Sequence, residues 1–364
     1  MEIPWRGSEY RDSRPLISEG IQIGDLLRYR LLKASRFNNT NDSYEHPFRY
    51  RMLAYFVRRI LISIPTLLFV FILVFLLVRV APGDPAIALL GDYAPESVLD
   101  AFREKMGLKD PLYIQFWRNL TDLLRGDLGR SMVSGVEISS RIKTVLPYTL
   151  ELVFAGIVLG LLLGIPTGVV TALYRNKLID FLGRLFSLIG ISIPLFYLSI
   201  LLLYVFAVRL GLMPVIGSSV TWNPLDRLHH LALPALALAL TQASYLTRAT
   251  RSAMLNVLNE DYIRTAYSKG LSSWIINYKH ALRNTLLTIT SLVGVYTVIL
   301  IGGSILVEIV FSRPGLGSLM IRAMKQRDYT MLQSTMLVYA FASVIINLIT
   351  DLIYSFIDPR IRYD

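Results

Sequence analysis

Long apolar runs alternate with polar segments along this chain of 364 residues. Six of the runs are close to the ~20 residues that an α-helix needs to cross a bilayer. They are residues 60–78, 152–174, 185–208, 228–247, 284–307 and 329–350. None of them contains Asp, Glu, Lys or Arg. The pattern predicts an all-α membrane protein with six transmembrane helices.

The composition agrees with a bilayer protein. Hydrophobic residues make up 54% of the chain and charged residues 17%, whereas soluble domains carry about 25% charged residues. Basic loops between apolar spans explain the net charge of +11, so no nucleic-acid partner is expected. The chain has no cysteine, which excludes disulfides, cysteine-ligated zinc and thiol catalysis. Residues 1–50 lack the apolar core of a cleavable signal.

Basic residues in the connecting segments predict the orientation of the spans. Four segments that would share the cytoplasmic side hold 22 Lys and Arg, and two short segments on the other side hold 6. The four are residues 1–59, 175–184, 248–283 and 351–364, and the two are residues 209–227 and 308–328. The long segment 79–146 is left out because long loops cross the membrane regardless of charge. We therefore expect a multi-pass protein of the cell membrane with both termini in the cytoplasm.

This topology divides the chain into four parts. They are a cytoplasmic N-terminal extension (1–50), the first transmembrane helix (51–80), an extracytoplasmic helical segment (81–146), and a core of five transmembrane helices with a cytoplasmic loop at 258–284 (147–364). Residues 95–106 and 111–125 have helical patterns, which predict a small helical extracytoplasmic subdomain. Residues 23–37 form either a basic amphipathic helix on the membrane surface or part of a poorly ordered tail.

Groups that could carry chemistry are scarce. The dipeptide Gly-Lys does not occur, so the chain lacks the phosphate-binding loop of common nucleotide-binding proteins. His229 and His230 have no further His or Cys to complete a metal site, so no metal is expected; a position at the outer membrane interface explains them. No Ser-centred nucleophile motif is present. We expect no catalytic residue, which leaves a membrane-embedded enzyme without support.

The absence of ionisable residues from the six runs bears on transport. Secondary carriers place such residues in mid-membrane to couple substrate movement to protons or sodium. Without them, and without a nucleotide site, transport would take its energy from a partner protein. A stand-alone channel or secondary carrier is the alternative, and its signature would be flux without ATP.

Proline and small residues stand out within the runs. Proline removes a backbone hydrogen bond that neighbouring helices must repair, and residues 231–244 are rich in alanine. Such a smooth face suits either close helix packing or a helix that lines a path which opens and closes. The candidate path residues are Pro194, Pro234, Ala237 and Ser244.

Residues 260–284 form a short, basic, amphipathic island between the fourth and fifth runs. Gly270 divides this island into two pieces, each of about one short helix. The island falls on the predicted cytoplasmic side. A compact polar element between two spans is suited to contact another protein in water.

The island resembles the EAA loop of permease subunits in ABC importers, in the form found in dipeptide and oligopeptide permeases. The matching residues are Asp261-Tyr262, Arg264-Thr265-Ala266, Lys269-Gly270-Leu271 and His280-Ala281-Leu282-Arg283-Asn284. Further landmarks of that family are Pro82-Gly83-Asp84-Pro85, Gly126-Asp127-Leu128-Gly129-Arg130-Ser131, Ser192-Ile193-Pro194, Glu308-Ile309-Val310-Phe311, Pro314-Gly315-Leu316-Gly317 and Asp358-Pro359-Arg360. The resemblance covers about residues 52–364. Thr288 stands where the family usually has Pro, and residues 1–50 have no counterpart in it.

The resemblance implies the type I ABC importer permease fold and the role of the first of two paired permeases. In that family the island forms two short helices, one of which seats in a groove of a cytoplasmic ATPase. The residues to which it assigns ATPase coupling are Tyr262, Arg264, Thr265, Ala266, Lys269, Gly270, Leu271, His280 and Arg283. For Arg264 and Lys269 the alternative is ordinary anchoring at the cytoplasmic membrane face.

The resemblance also implies partners and cargo. The partners would be a second homologous permease, two ABC ATPases, an extracytoplasmic substrate-binding protein and membrane lipid. ATP and Mg would bind to the ATPases, and this chain would bind no cofactor. The implied cargo is a dipeptide or oligopeptide. Importers of glutathione, nickel and oligosaccharides resemble the same family, so these cargoes stay open.

Overall fold

The computed structural model describes residues 45–80, 83–219 and 223–357. Within these ranges the chain contains helices and no strand; one isolated antiparallel bridge joins Arg130 to Glu137. The predicted all-α fold is confirmed. The chain divides into two compact units, residues 1–58 and 59–364, and the division falls inside the first helix. Residues 23–37, Pro82 and residues 358–360, which carried expectations above, lie outside the described residues.

The helices are numbered here in chain order. They are α1 (Glu45–Val80), α2 (Pro85–Leu90), α3 (Glu96–Lys105), α4 (Leu112–Leu124), α5 (Ile138–Leu173), α6 (Leu178–Ser192), α7 (Leu195–Leu202, continued by a π-helical turn over Leu203–Arg209), α8 (Pro224–Leu258), α9 (Asp261–Ser268), a π-helical segment (Ile275–Ala281), α10 (Leu282–Val310), α11 (Leu316–Lys325) and α12 (Tyr329–Ile357).

Four of the described helices are long and apolar enough to cross a membrane by themselves. The spans are Val57–Val80, Ile138–Leu173, Thr288–Val310 and Tyr329–Thr350. The predicted third span, residues 185–208, is not a continuous helix, because α6 and α7 meet at a bend of 107° and make at most one broken span. The break lies at Pro194, and Ile193 before it is extended with ψ 121°, as expected for a residue that precedes proline.

The predicted fourth span lies in α8 but differs in character from the other five. This 35-residue helix is absent from the apolar spans found in the described part of the chain, which number four, or five with the bent pair. Side chains between Leu231 and Met254 on this helix are buried within the bundle. A helix enclosed by protein need not be apolar on every face, so α8 can carry polar residues such as His230, Gln242 and Thr247.

The most extensive helix contact in the described bundle joins α5 to α8, and four glycines lie in it. They lie at every fourth position of α5: Gly156, Gly160, Gly164 and Gly168. Residues four apart share one face of a helix, and this face meets α8 at Leu238, Gln242, Leu246 and Thr250 respectively. A β-carbon added to any of the four would approach those side chains to 2.5–2.9 Å. Glycine lets the two backbones come together, as in other membrane helix pairs.

Replacement of Gly164 by alanine is expected to force α5 and α8 apart. The new β-carbon would lie 2.7 Å from Leu246 Cβ and 2.9 Å from the Ala243 backbone, and backbone cannot yield as a flexible side chain can. We expect a net cost of about 1–3 kcal/mol from overpacking, measured as a lower thermal unfolding temperature in detergent. Gly302→Ala is the matched control, because its β-carbon would meet nothing within 4 Å. Equal unfolding temperatures for the two variants would contradict the close contact.

The segment after α1 folds as the predicted small helical unit. Arg103 of α3 binds Asp84, the N-cap of α2, as well as Glu96 and Asp100 at N–O distances of 2.6–2.9 Å. Phe116 of α4 packs against Phe71 and Phe75 of α1, with ring centroids 5.4 Å apart in both pairs. One charge cluster and one aromatic cluster therefore hold this subdomain together and attach it to the first span.

Candidate functional site

The first half of the island, α9, is anchored to the bundle by its apolar face. Ile263 and Ala266 are buried, with exposed fractions of 1% and 8%. They belong to one apolar cluster with Val169 and Ala172 at the end of α5, Met254 near the end of α8, and Ile276 and Ala281 of the π-helical segment. Since α8 ends at Leu258 and α9 begins at Asp261, the island is a direct continuation of the most enclosed helix.

The other face of α9 is exposed. Tyr262 and Tyr267 are 41% and 50% exposed, and Arg264, Thr265 and Lys269 are also exposed. Arg264 pairs with Asp261 at 3.4 Å, but both side chains are largely in water, where such a pair contributes little. The result is an aromatic and basic surface with its underside fixed and its outer side uncovered by the described part of the chain.

Gly270 ends α9 in a conformation that favours glycine. Its φ is +73°, in the left-handed region that costs other residues about 1–2 kcal/mol. The Gly270 N–H bonds the Tyr267 carbonyl at 2.9 Å, and the Leu271 N–H reaches the Ala266 carbonyl at 3.3 Å. These bonds satisfy carbonyls at the end of the helix. A β-carbon at Gly270 would meet nothing within 4 Å, so backbone geometry and not space within the chain requires glycine.

The second half of the island differs from the expected second short helix. The π-helical segment Ile275–Ala281 runs without a break into α10, so the helix that contains the fifth span begins within the island. Trp274 and Tyr278 project beside each other, 68% and 41% exposed, with ring centroids 5.6 Å apart. Asn284 donates to the Tyr262 hydroxyl at 2.7 Å and ties this half to α9.

A buried ion pair links α6 to α8 close to the island. Asp180 is fully buried and accepts from Arg251 Nε at 2.6 Å and from Arg251 Nη2 at 2.9 Å. The Asn176 N–H also bonds this carboxylate, at 2.9 Å. The sequence gives no sign of this pair, because Asp180 lies in a short basic segment where its side chain is expected to face water.

At the opposite end of the bundle, Glu308 closes a junction between three helices. Its carboxylate is fully buried and accepts from Thr149 Oγ1 of α5 at 2.6 Å and from the Ser318 N–H of α11 at 3.0 Å. A carboxylate at a helix N-terminus satisfies N–H groups that have no partner inside the helix. Side chains at Gly315 or Gly317 would collide with it, which explains the small residues that follow Pro314.

Asp328 and Arg313 form two further sets of hydrogen bonds at this end. Asp328 accepts from the Ser131 hydroxyl, from the Met132 N–H at 3.1 Å and from the Met331 N–H at 3.1 Å. Arg313 is buried and donates to Glu151 at 2.7 Å and to the Tyr148 and Gly217 carbonyls. Burial lowers the pKa of Arg313, and the Glu151 carboxylate opposes that shift.

Known families and relatives match this chain along most of its length. The family described as binding-protein-dependent transport system inner membrane component matches residues 164–363, and the N-terminal part of such membrane components matches residues 52–153. The chain belongs to this family of ABC importer permeases. It is therefore an integral inner-membrane transport subunit, in a family of transport proteins and not of enzymes.

Two relatives and one solved structure illustrate the membership. The glutathione transport system permease protein GsiC of Salmonella paratyphi A is 41% identical over 312 residues, which cover 86% of this chain and all of that protein. GsiC of Escherichia coli K12 is 39% identical over the same extent. The inward-facing MetNI methionine ABC transporter has a TM-score of 0.50 at 19% identity, over 60% of this chain and 96% of the other. That last likeness supports the type I fold alone.

The permease fold places the predicted coupling residues at one end of the bundle. Most of them are exposed there: Tyr262, Arg264, Thr265, Lys269, Gly270, Leu271 and Arg283. His280 is half-buried. Ala266 differs, because it is buried in the apolar cluster beneath α9; it anchors the helix and cannot itself reach a partner in this conformation. The coupling role of the exposed residues stays a prediction.

The four candidate path residues do not form a common lining in this structure. Pro194 is exposed at the α6–α7 bend, whereas Pro234, Ala237 and Ser244 are buried. Ser244 Oγ bonds the Leu240 carbonyl and its own carbonyl accepts from Ser187 of α6, both at 2.8 Å. These three contribute to close helix packing, the other explanation of the small-residue stretch.

The described residues contain no group of three or more His, Asp or Glu side chains that could hold a metal ion. His229 is within 3.1 Å of the Leu212 carbonyl, and His230 within 2.9 Å of the Asp226 carbonyl. Both rings thus have local backbone partners near the start of α8.

Replacement of Glu308 by alanine is expected to destabilise the permease. The Ser318 N–H and the Thr149 hydroxyl would lose their buried acceptor, and each unpaired buried group costs about 1–3 kcal/mol. The measurement is the thermal unfolding temperature of the solubilised protein. Glu104→Ala removes an exposed carboxylate of α3 and is expected to change stability by less than about 0.5 kcal/mol. If both variants unfold at the wild-type temperature, Glu308 does not hold the junction.

Proposed function

We propose that this chain is the membrane subunit through which an ATP-driven importer moves dipeptides or oligopeptides. The observation that carries the proposal is the island surface, whose aromatic and basic outer side is uncovered while its apolar underside is fixed to three helices. Such a surface suits a seat in the groove of an ATPase subunit. Relatives that carry the name of a glutathione transport system support a small peptide-like cargo.

The proposed assembly supplies what this chain lacks. A second homologous permease would complete the membrane-spanning part, two ABC ATPases would bind ATP and Mg, and a substrate-binding protein would deliver cargo from outside. Lys and Arg number 22 in the segments assigned to the cytoplasm against 6 in the two short outer ones. That bias supports cytoplasmic termini and a cytoplasmic island.

The packing suggests how force on the island would reach the spans. Movement of α9 displaces the end of α8, to which it is joined by two residues. The glycine contacts join α8 to α5 over four successive turns, and the Asp180–Arg251 pair joins α6 to the same helix. A push by the ATPases would therefore move α5, α6 and α8 together and not bend one helix alone.

Gly270→Asp is expected to uncouple transport from ATP hydrolysis while leaving the assembly intact. Aspartate tolerates a positive φ better than most residues, and a β-carbon at this position would meet nothing within 4 Å. The harm should therefore arise where the ATPase seats. The measurements are ATP hydrolysis and peptide uptake in proteoliposomes with all partners present.

Gly126→Asp is the matched control for this substitution. Gly126 also has a positive φ, +78°, and open space around its β-carbon, but it lies in the loop before α5, at the other end of the bundle. It is expected to retain coupled uptake. If Gly270→Asp imports peptide at the wild-type rate for each ATP hydrolysed, the proposed coupling surface is wrong.

The cargo is tested by uptake of labelled tripeptide, oligosaccharide and nickel into the same proteoliposomes, each with and without ATP. We expect ATP-dependent accumulation of the tripeptide alone. Accumulation of the sugar or the metal would replace the peptide assignment and keep the importer. Uptake by this chain without ATP or partners would favour a channel or secondary carrier.

A further inference from the structure

The side-chain amide of Gln242 is buried without a hydrogen-bond partner, unlike most polar groups of the described bundle. Gln242 is 97% buried, with an exposed fraction of 3%, and neither Nε2 nor Oε1 has a hydrogen-bond partner in the described part of the chain. Hydroxyl groups of the same spans bond the carbonyl one turn earlier, as Thr241 does to Ala237 and Thr297 to Val293. An amide cannot satisfy both its ends in that way, so it needs a partner from elsewhere.

The fold makes room for this amide. A β-carbon at Gly160 of α5 would lie 2.6 Å from Gln242 Oε1, so any other residue there would displace the side chain. An unsatisfied polar group inside a membrane protein is costly, and the chain nevertheless provides a glycine to accommodate one. The glycine that lets α5 and α8 come together at this turn therefore also leaves the space that the amide occupies.

Gln242 also borders a small cavity between α7, α8 and α10. The cavity has a volume of about 40 Å³ and is lined by Leu195, Leu238, Thr241, Gln242, Tyr245, Tyr296, Ile299 and Leu300. The rings of Tyr245 and Tyr296 stack with centroids 4.7 Å apart and an interplanar angle of 25°. Ile299 is 57% exposed, which places one wall of the cavity at the surface of the chain.

We propose that Gln242 is a substrate-contacting residue that reads the peptide bond during passage through the spans, an inference that rests on the proposed peptide function. A primary amide offers one acceptor and two donors, which match the N–H and C=O of a peptide bond whatever side chains the peptide carries. The paired tyrosine rings supply a broad apolar wall that can contact a peptide whatever its side chains are. In this conformation the cavity is far too small for a peptide, so contact would follow a movement of the spans.

The test compares a tripeptide with its depsipeptide analogue, in which an ester oxygen replaces the central N–H. The complete importer is reconstituted in proteoliposomes with binding protein already loaded with either ligand, so that capture does not enter the comparison. The wild type is expected to transport the peptide roughly three to ten times faster than the ester, the effect of one net hydrogen bond. Equal rates in the wild type would overturn the proposal without any variant.

Gln242→Met then assigns the preference to this side chain, because methionine keeps the length and volume but cannot bond an amide. We expect the variant to transport both ligands at similar rates with unchanged or higher thermal stability, since removal of an unpaired polar group relieves its desolvation. Thr250→Val is the matched control. Thr250 Oγ1 is also buried and unpaired in the described chain, on the same helix against Gly168, but it does not line the cavity.

Three results would overturn the inference while leaving the proposed function in place. They are a peptide preference that survives in Gln242→Met, the same loss of preference in Thr250→Val, and failure of Gln242→Met to copurify with the second permease. The last would show that the partner subunit satisfies the amide. If the wild type imports no peptide at all, the proposed function fails instead.

Discussion

Close backbone contact between α5 and α8 is the constraint on which the rest of this permease depends. Four glycines in successive turns of α5 meet four residues of α8, and in a bilayer such contact replaces the hydrophobic driving force that folds soluble proteins. Because α8 is enclosed, its polar residues need not face lipid. Because α5 and α8 pack together over four turns, the segments that follow them, such as α9 after α8, are held in fixed positions.

The two ends of this helix pair have different chemistry. At one end, the buried side chains of Glu308, Arg313 and Asp328 have hydrogen-bond partners inside the chain. At the other, α9 satisfies only its apolar side and leaves its tyrosines and basic residues uncovered. Family motifs occur at both ends, and the uncovered face of α9 is the surface that the proposed ATPase would occupy.

The bent α6–α7 pair and the π-helical entry to α10 show where regular helices give way. A proline alone does not decide this, since Pro65, Pro147, Pro166 and Pro234 lie inside continuous helices. At Pro194 the chain turns by 107°, so the turn depends on more than the proline itself. The π-helical turn places Ile276 and Ala281, which are five residues apart, in the same apolar cluster under α9.

The helical class, the apolar runs, the two helices of the small subdomain, the family and the location of the island can all be predicted from the sequence. Each of these features follows from the hydrophobic period or from a local motif, and none of them depends on contacts between residues distant in the chain. The burial of Ala266 beneath α9, the contact of Ser244 with Ser187 of α6 and the pairing of Asp180 with Arg251 come from the three-dimensional packing. Burial and ion pairing depend on which helices become neighbours. Gly160 and Gln242 are far apart in the chain, and their contact exists only because α5 packs against α8.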